Sequence, residues 1–252
     1  MKKILIITGC ICPNENVPYL KLVDSNIRLL QYIDSIEFYI LNSNFDIIIF
    51  GDNSNYYYDI VRLEKMAHNV GKEFEWLSFS GDKNKVIRQG KGFGECEIIN
   101  YILANSRYRE EIKNFVKVTG RLKVTNINSI IKRIDFNQNY FNPDVNLIKF
   151  LQHKKPIIDT RLYFVQKSYY NNILKDLYMI VDDRNDIQLE SCFFKAINKN
   201  GKYDNFPIYP NIIGECAGNG LNYSEESILR KILFNLLSFF HIFKCNILFR
   251  FY

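Results

Sequence analysis

The sequence predicts an α/β protein built on a mixed, mostly parallel sheet flanked by helices. Three observations predict it. Residues 3–8 form a continuous apolar run without polar alternation, the pattern of a strand buried on both faces, 45–50 read as a second buried strand and 74–79 as a third strand. Segments with helical spacing of apolar residues separate these runs. Each run ends in a glycine or polar turn: Thr8-Gly9, Gly51-Asp52-Asn53-Ser54 and Ser80-Gly81-Asp82. Strand, helix, strand, helix, strand is the order that builds a parallel sheet through crossover connections. In such sheets the ligand crevice lies at the carboxyl ends of the strands. Thr8, Gly9, Asp52 and Asn53 therefore stand where a ligand would be met.

The elements follow in order. Lys3 opens the first strand, and Pro13 and Pro18 mark the loop after it. Residues 20–40 read as a helix with Leu22, Val23, Ile27, Leu30 and Ile33 on one stripe and Arg28 and Gln31 on other faces. A second helix spans 59–70 and is closed by Gly71. Gln89-Gly90-Lys91-Gly92-Phe93-Gly94-Glu95 reads as a glycine-rich loop that opens a helix over 95–105. It has neither the Walker order nor Gly-x-Gly-x-x-Gly. A fourth strand runs over 115–122, a short helix over 126–134 and a loop over 135–146. Residues 157–165 form a strand on which Asp159 and Arg161 share one face. A helix at 167–179, an acidic turn at 182–186, a helix at 187–197 carrying Glu190, an extended segment at 205–213 and a glycine loop at 214–220 complete a domain over 1–224.

Composition narrows the class. With 47% hydrophobic and 24% charged residues, the 252-residue chain belongs with folded globular proteins. A net charge of +6 suits an anionic partner without choosing among nucleotide phosphate, acidic lipid and nucleic acid. The aromatic residues sit inside apolar runs, where they read as core, so no nucleic-acid partner is expected. The cysteines are scattered (Cys10, Cys12, Cys96, Cys192, Cys216, Cys245), with no zinc-type spacing to the distant histidines. Isolated cysteines of this kind read as reduced, buried small hydrophobes, and the expected location is cytoplasmic. Residues 225–252 form a distinct apolar tail flanked by Arg230, Lys231, Lys244 and Arg250. Its apolar core is shorter than the roughly 20 residues of a spanning helix. An amphipathic helix on the inner face of the cytoplasmic membrane and a helix packed on a partner or on its own domain both fit it.

The stretch Lys117-Val118-Thr119-Gly120-Arg121 concentrates the chemistry. A strand that runs into a glycine turn bracketed by cations suits a phosphorylated ligand: glycine lets the backbone approach, and arginine offers a planar fork to phosphate oxygens. A tight turn with two solvated cations is the competing reading. Lys91 adds a cation where the glycine loop would present free N–H groups.

Taken together, the order of these motifs resembles bacterial glycosyltransferases of surface-polysaccharide (capsule or lipopolysaccharide) assembly with a GT-A-like fold. The pieces that carry the resemblance are Lys91-Gly92-Phe93-Gly94-Glu95, then Lys117-Val118-Thr119-Gly120-Arg121, then Asp159-Thr160-Arg161-Leu162-Tyr163, then Glu190, then the glycine loop 214–222. The resemblance implies transfer of a sugar from a nucleotide-diphosphate donor to a hydroxyl of a growing glycan, with a glycan or lipid-linked acceptor. It implies that Lys91, Gly92, Glu95, Thr119 and Gly120 contact the nucleotide-sugar; Asp159 and Arg161 read as contacts to the donor or acceptor sugar, with an ion pair between them as the competing reading. Many GT-A enzymes hold a divalent metal on Asp-x-Asp, and this chain has none; Thr119-Gly120-Arg121 stands at that place. Lys117 and Arg121 are therefore expected to neutralise the diphosphate, with Lys91, and no metal ligand is assigned. Asp182, Asp183 and Asp186 are the reserve metal candidates for manganese or magnesium. Glu190, set among Leu189, Cys192 and Phe193, is the expected catalytic base, because burial raises a carboxylate's pKa. The other readings are a nucleotide- or nucleic-acid-binding module without catalysis and a membrane-peripheral scaffold.

Overall fold

A computed structural model describes residues 1–143 and 157–215, together with Tyr223. The tail 225–252, residues 144–146 of the expected loop, and positions 216–222 of the glycine loop lie outside the described residues.

The chain enters the sheet through β1 (Ile4–Gly9), crosses through α1 (Ser25–Asn42) to β2 (Ile47–Asp52), and through α2 (Val61–Asn69) to β3 (Glu73–Ser78). Two consecutive helices, α3 (Lys83–Gln89) and α4 (Lys91–Asn105), return it to the sheet centre at β4 (Asn114–Thr119). After the short strand β5 (Lys123–Val124) and α5 (Ile127–Ile131) come β6 (Tyr140–Pro143) and β7 (Ile158–Gln166). α6 (Lys167–Tyr169) runs into a π turn (Tyr170–Leu174) and two 3-10 turns (Leu177–Ile180, Asp183–Asn185). α7 (Leu189–Asn200), β8 (Asp204–Asn205) and β9 (Ile212–Ile213) follow.

Seven strands form one sheet in the order β3-β2-β1-β4-β7-β6-β8, and β5 pairs with β9 in a second. β3, β2, β1 and β4 are parallel, whereas β7 runs antiparallel to β4 and to β6. Every residue of β1 and β2 is buried, including the polar Thr8 and Asp52 at their carboxyl ends. Alternation splits their side chains between two cores. Leu5, Ile7, Ile48 and Phe50 pack with Tyr32, Ile36, Tyr39 and Ile40 of α1. Ile4, Ile6, Ile47 and Ile49 pack with Cys96, Ile98, Ile99 and Ile102 of α4 and with Phe193 and Ile197 of α7. The sheet is thus covered on both faces, which is why its strands read as unbroken apolar runs.

Several elements depart from the sequence reading. α1 begins at Ser25 because Asp24 caps it, its carboxylate accepting from the N–H groups of Asn26 and Ile27. Its buried stripe is Arg28, Tyr32, Ile36 and Tyr39, while Ile27 and Leu30 are exposed. The stripe is rotated from the expected one because the Arg28 guanidinium turns inward onto the Cys10 and Leu22 carbonyls. The expected glycine loop at 89–95 is instead one residue, Gly90, with φ +100, joining α3 to α4. Gly92 and Gly94 lie inside the first turn of α4, where a Cβ on Gly92 would meet Leu189 and one on Gly94 would meet Asn53 and Val86. The loop expected over 135–146 contains β6, a short Tyr-Phe-Asn-Pro strand paired with β7 on one side and β8 on the other. The helix expected over 167–179 is broken into a π turn and a 3-10 turn. The strand expected to reach Leu122 ends at Thr119. Among the described residues no helix is long and apolar enough to cross a membrane.

Candidate functional site

The carboxyl ends of β1, β2 and β4 open into a cleft that also meets the start of α4. Thr8, Gly9, Asn53, Lys91, Glu95, Thr119 and Arg121 line it, all of them residues singled out from the sequence. Its volume is about 160 Å³, or 880 Å³ with the open mouth, so it encloses only part of a large ligand.

Close backbone packing forms the floor. The Gly120 N–H donates to the Thr8 carbonyl (2.9 Å), carrying the β1–β4 pairing one residue past the strand ends. A Cβ on Gly120 would come within 2.5 Å of that carbonyl oxygen and 2.8 Å of the Tyr32 ring. Glycine is required here by space, since its φ is not positive. Tyr32 reaches the same floor from α1. Its hydroxyl accepts from the Cys10 N–H (3.0 Å) and from Arg28 Nη2 (3.0 Å).

Asp52 is fully buried, and its carboxylate accepts four hydrogen bonds. Oδ1 takes the Ile11 N–H (2.9 Å) and Ser54 Oγ (2.7 Å); Oδ2 takes the Tyr56 N–H (3.0 Å) and Ser78 Oγ (2.8 Å). Its lone pairs are committed to the protein. Asp52 therefore shapes the loops over the cleft and does not line it. Asn53, beside it, does line the cleft. It is 7% exposed, its Nδ2 donates to Glu97 Oε2 (3.3 Å), and its Oδ1 has no partner among the described residues. A buried carbonyl oxygen left unpaired is costly unless a ligand or water supplies a donor.

Four cations face the cleft: Arg28, Lys83, Lys91 and Arg121. The Arg28 guanidinium is buried and donates to the carbonyls of Cys10 (2.7 Å) and Leu22 (3.0 Å). Arg121 Nη1 donates to Gln31 Oε1 (2.7 Å), whose Nε2 in turn donates to Glu215 (3.0 Å). Burial holds the Arg121 guanidinium below its ordinary pKa, with Arg28 acting in the same direction. It remains a cation, as arginine does in proteins. The Lys91 N–H donates to Asp183 Oδ2 (3.1 Å), and its Nζ to the Tyr19 carbonyl (3.3 Å). The start of α4 is therefore capped by a carboxylate from another part of the chain. The Lys91 N–H, expected to be free at the opening of the helix, is thereby occupied.

Below the cleft lies a buried charge network. Lys117 is completely buried, with its Nζ 2.6 Å from Glu95 Oε1, 3.0 Å from Thr119 Oγ1 and 2.7 Å from the Thr160 carbonyl. Its charge is met inside the protein, and it does not line the cleft; Glu95 joins the network to the cleft. Thr160 Oγ1 donates to Glu190 Oε1 (3.0 Å). Burial pushes the Glu190 carboxyl above the usual carboxylate range, and the negative charges of Glu95 and Asp183 add to that push. Asp159 and Arg161, on the same end of the sheet, form a close pair (2.6 Å), with the guanidinium 4.3 Å from the Tyr223 ring.

This architecture has a solved counterpart. A glycosyltransferase shares the fold. The glycosyltransferase GlyE of Streptococcus pneumoniae TIGR4 aligns with 81% of this chain at 9% identity and a TM-score of 0.50. This chain spans 45% of that protein's length. A Bacillus anthracis protein assigned as a glucose-1-phosphate thymidylyltransferase, solved with a sucrose, aligns over 94% of both chains at 11% identity and a TM-score of 0.42. A nucleoside-diphosphate-sugar pyrophosphorylase of Vibrio cholerae RC9 aligns over 80% of this chain and 91% of its own at 14% identity and a TM-score of 0.40. No protein-family model and no curated protein sequence matches the chain. At these identities the likeness is one of fold, a mixed α/β sheet of the GT-A-like, Rossmann-like kind.

Within that fold, the sequence-selected residues fall into two groups. Thr8, Gly9, Asn53, Lys91, Glu95, Thr119 and Arg121 meet in the cleft. Lys117 and Glu190 lie in the network below it, with Asp52, Gly92 and Gly120 shaping its walls and floor. The acidic turn is committed to the fold. Asp182 accepts from the N–H groups of Arg184 and Asn185, Asp183 caps α4, and Asp186 holds a left-handed backbone (φ +58). Among the described residues no group of three or more His, Cys, Asp or Glu is placed to hold a metal ion. Arg28, Tyr32, Lys83 and Glu97 were missed. The signal for the first two was available, since Arg28 and Tyr32 are one helical turn apart on the stripe that continues to Ile36. Cysteines 96 and 192 are buried as expected, but Cys12 is exposed and lines the cleft with Cys10. Burial pushes the Cys10 thiol up to about 12.

Proposed function

We propose that this chain is a nucleotide-sugar-dependent glycosyltransferase and that the cleft holds the donor. The observation that carries the reading is the convergence of four cations, Arg28, Lys83, Lys91 and Arg121, with the unpaired Asn53 oxygen, at the carboxyl ends of parallel strands. A nucleoside diphosphate needs both: cations for its phosphates and an acceptor for a base N–H. In transfer, the acceptor oxygen bonds to the anomeric carbon as the bond from that carbon to the diphosphate oxygen breaks. Arg121 and Lys91 stabilise the negative charge that builds on the leaving diphosphate. Glu190 receives the acceptor's proton; its raised pKa suits a base working near neutrality. Lys117 keeps the Glu95 charge in place behind the donor. Asp159 and Arg161 meet the sugar. With cations at the end of β4 where many GT-A enzymes place metal-binding carboxylates, the reaction runs without a divalent metal. The acceptor is a growing surface glycan, and the tail 225–252 brings the enzyme to the cytoplasmic face of the membrane.

The test is a thermal-shift screen against UDP, GDP, CDP and CMP, each with and without manganese, followed by transfer assays with the matching sugar donors. One nucleoside diphosphate is expected to raise the melting temperature by mass action, and Arg121→Ala to abolish that rise. Transfer should persist in chelator. Absence of any shift would remove the donor from the cleft. Formation of pyrophosphate from a nucleoside triphosphate and a sugar 1-phosphate would make the chain a nucleotidyltransferase instead.

A further inference from the structure

A second and larger cavity lies at the other end of the sheet. Its volume is about 720 Å³, and it is bounded by the approach to β6, the last residue of β7, the π turn and the loop between α7 and β8. β7 runs antiparallel to β4, and Gln166 pairs with Asn114 at the start of β4. The cavity therefore opens at the end of the sheet away from the nucleotide cleft, and the two share no lining residue.

Its floor is built and rigid. Asn139, 5% exposed, ties three segments together: its Oδ1 accepts from the Gln166 N–H (2.9 Å), its Nδ2 donates to the Lys202 carbonyl (3.0 Å), and its own carbonyl accepts from the Asp204 N–H (2.8 Å). Around that floor stand the side-chain amides of Gln138, Asn172 and Asn198, which make no hydrogen bond among the described residues. Tyr169 and Tyr203 supply aromatic wall. Tyr169 is neutral, since burial pushes its hydroxyl up to about 12.

The chemistry of the lining selects the ligand. One lysine and one aspartate face the cavity, so neither an anion nor a cation is favoured. A divalent metal would find a single carboxylate. An apolar ligand would strip water from the amides without replacing their hydrogen bonds. What remains is a neutral ligand dense in hydroxyl groups, with C–H faces that lie on tyrosine rings. Amides that both donate and accept match such hydroxyls. We propose that this cavity is a binding site for a neutral oligosaccharide, separate from the nucleotide cleft. The proposal does not depend on the chain being a transferase.

The experiment is NMR of the full chain, following Asn and Gln side-chain amide signals during titration with maltotriose, cellotriose and triacetylchitotriose, with trialanine and UDP as comparison ligands. At least one trisaccharide is expected to shift Gln138, Asn172 and Asn198, and UDP to leave them in place. The double variant Gln138→Ala/Asn198→Ala alters two exposed side chains and should fold normally. It is expected to weaken the sugar about tenfold, as loss of two hydrogen bonds would. The cavity would not be a carbohydrate site if no trisaccharide moved these signals, if the double variant bound unchanged, or if trialanine alone moved them. Failure of UDP, GDP, CDP and CMP alike to bind would overturn the reading of the other cleft and leave this one standing.

Discussion

Lys117 illustrates how burial changes the meaning of a residue. In sequence it is a cation beside a glycine turn; in the fold it is completely buried, 2.6 Å from a Glu95 oxygen. Breaking a buried pair by removing one partner typically costs about 3–5 kcal/mol, because the other charge is left uncompensated. Lys117→Met is accordingly expected to lower stability by that order in urea denaturation, and Lys117→Met/Glu95→Gln to recover most of the loss. An unchanged double variant would show that the pair does not act as a unit. Glu190 makes a prediction of opposite sign. Its folded-state pKa is raised, chiefly by burial. The stabilisation tied to its proton is present below the unfolded value of about 4.3 and is lost as pH rises through the raised folded value. Glu190→Gln cannot ionise. It should therefore melt higher than the parent at neutral pH, with the gain shrinking towards pH 4, while transfer is abolished and donor binding is kept. An equal melting temperature at neutral pH would mean that Glu190 is not held in a setting that disfavours its charge.

At the scale of the element, the joint between α3 and α4 is the informative one. Gly90 holds φ +100, and a Cβ there would fall 1.9 Å from the Asp183 carboxylate that caps α4. Strain and overpacking each cost about 1–3 kcal/mol. Gly90→Ala should be destabilising by at least that much, and Asp183→Ala by about 0.5–2 kcal/mol through the lost cap. The double variant is expected to cost less than the sum, since removing the carboxylate relieves the clash. Equilibrium unfolding of the three variants checks it. Strict additivity would mean that the cap and the glycine are independent. The wider point concerns function: the joint fixes where Lys91 and Glu95 enter the cleft, so these variants should also weaken nucleotide binding.

At the scale of the whole molecule, parallel strands β1, β2 and β4 end together, and antiparallel β7 begins beside them. The cleft-lining cations, the buried carboxylates and the Asp159–Arg161 pair are gathered at one end of the sheet by that topology. The oligosaccharide cavity lies at the other end. The tail reading adds a prediction about the entire chain. Full-length protein is expected to co-sediment with vesicles containing anionic lipid and to be released by salt, because its flanking cations act through a screened field. Equal recovery with neutral vesicles, or none with either, would point to a protein partner or to packing on the chain's own domain.

What could be read from the order of residues was the set of properties that depend on neighbours in sequence. Unbroken apolar runs such as 4–7 and 47–50 reveal strands buried on both faces, and polar strand ends reveal the cleft edge, so the α/β sheet and seven of the cleft-lining residues were legible. β6 was not, because a short strand carrying asparagine and proline gains its place from pairing with β7 and β8. Charge assignments were not legible either. Whether Lys117, Asp52 or Arg28 faces a ligand or the interior depends on partners 22 residues away (Glu95), 41 residues away (Ile11) and 18 residues away (Cys10). A charged side chain is free for chemistry only when no internal partner claims it, and internal partners are chosen when the chain closes on itself.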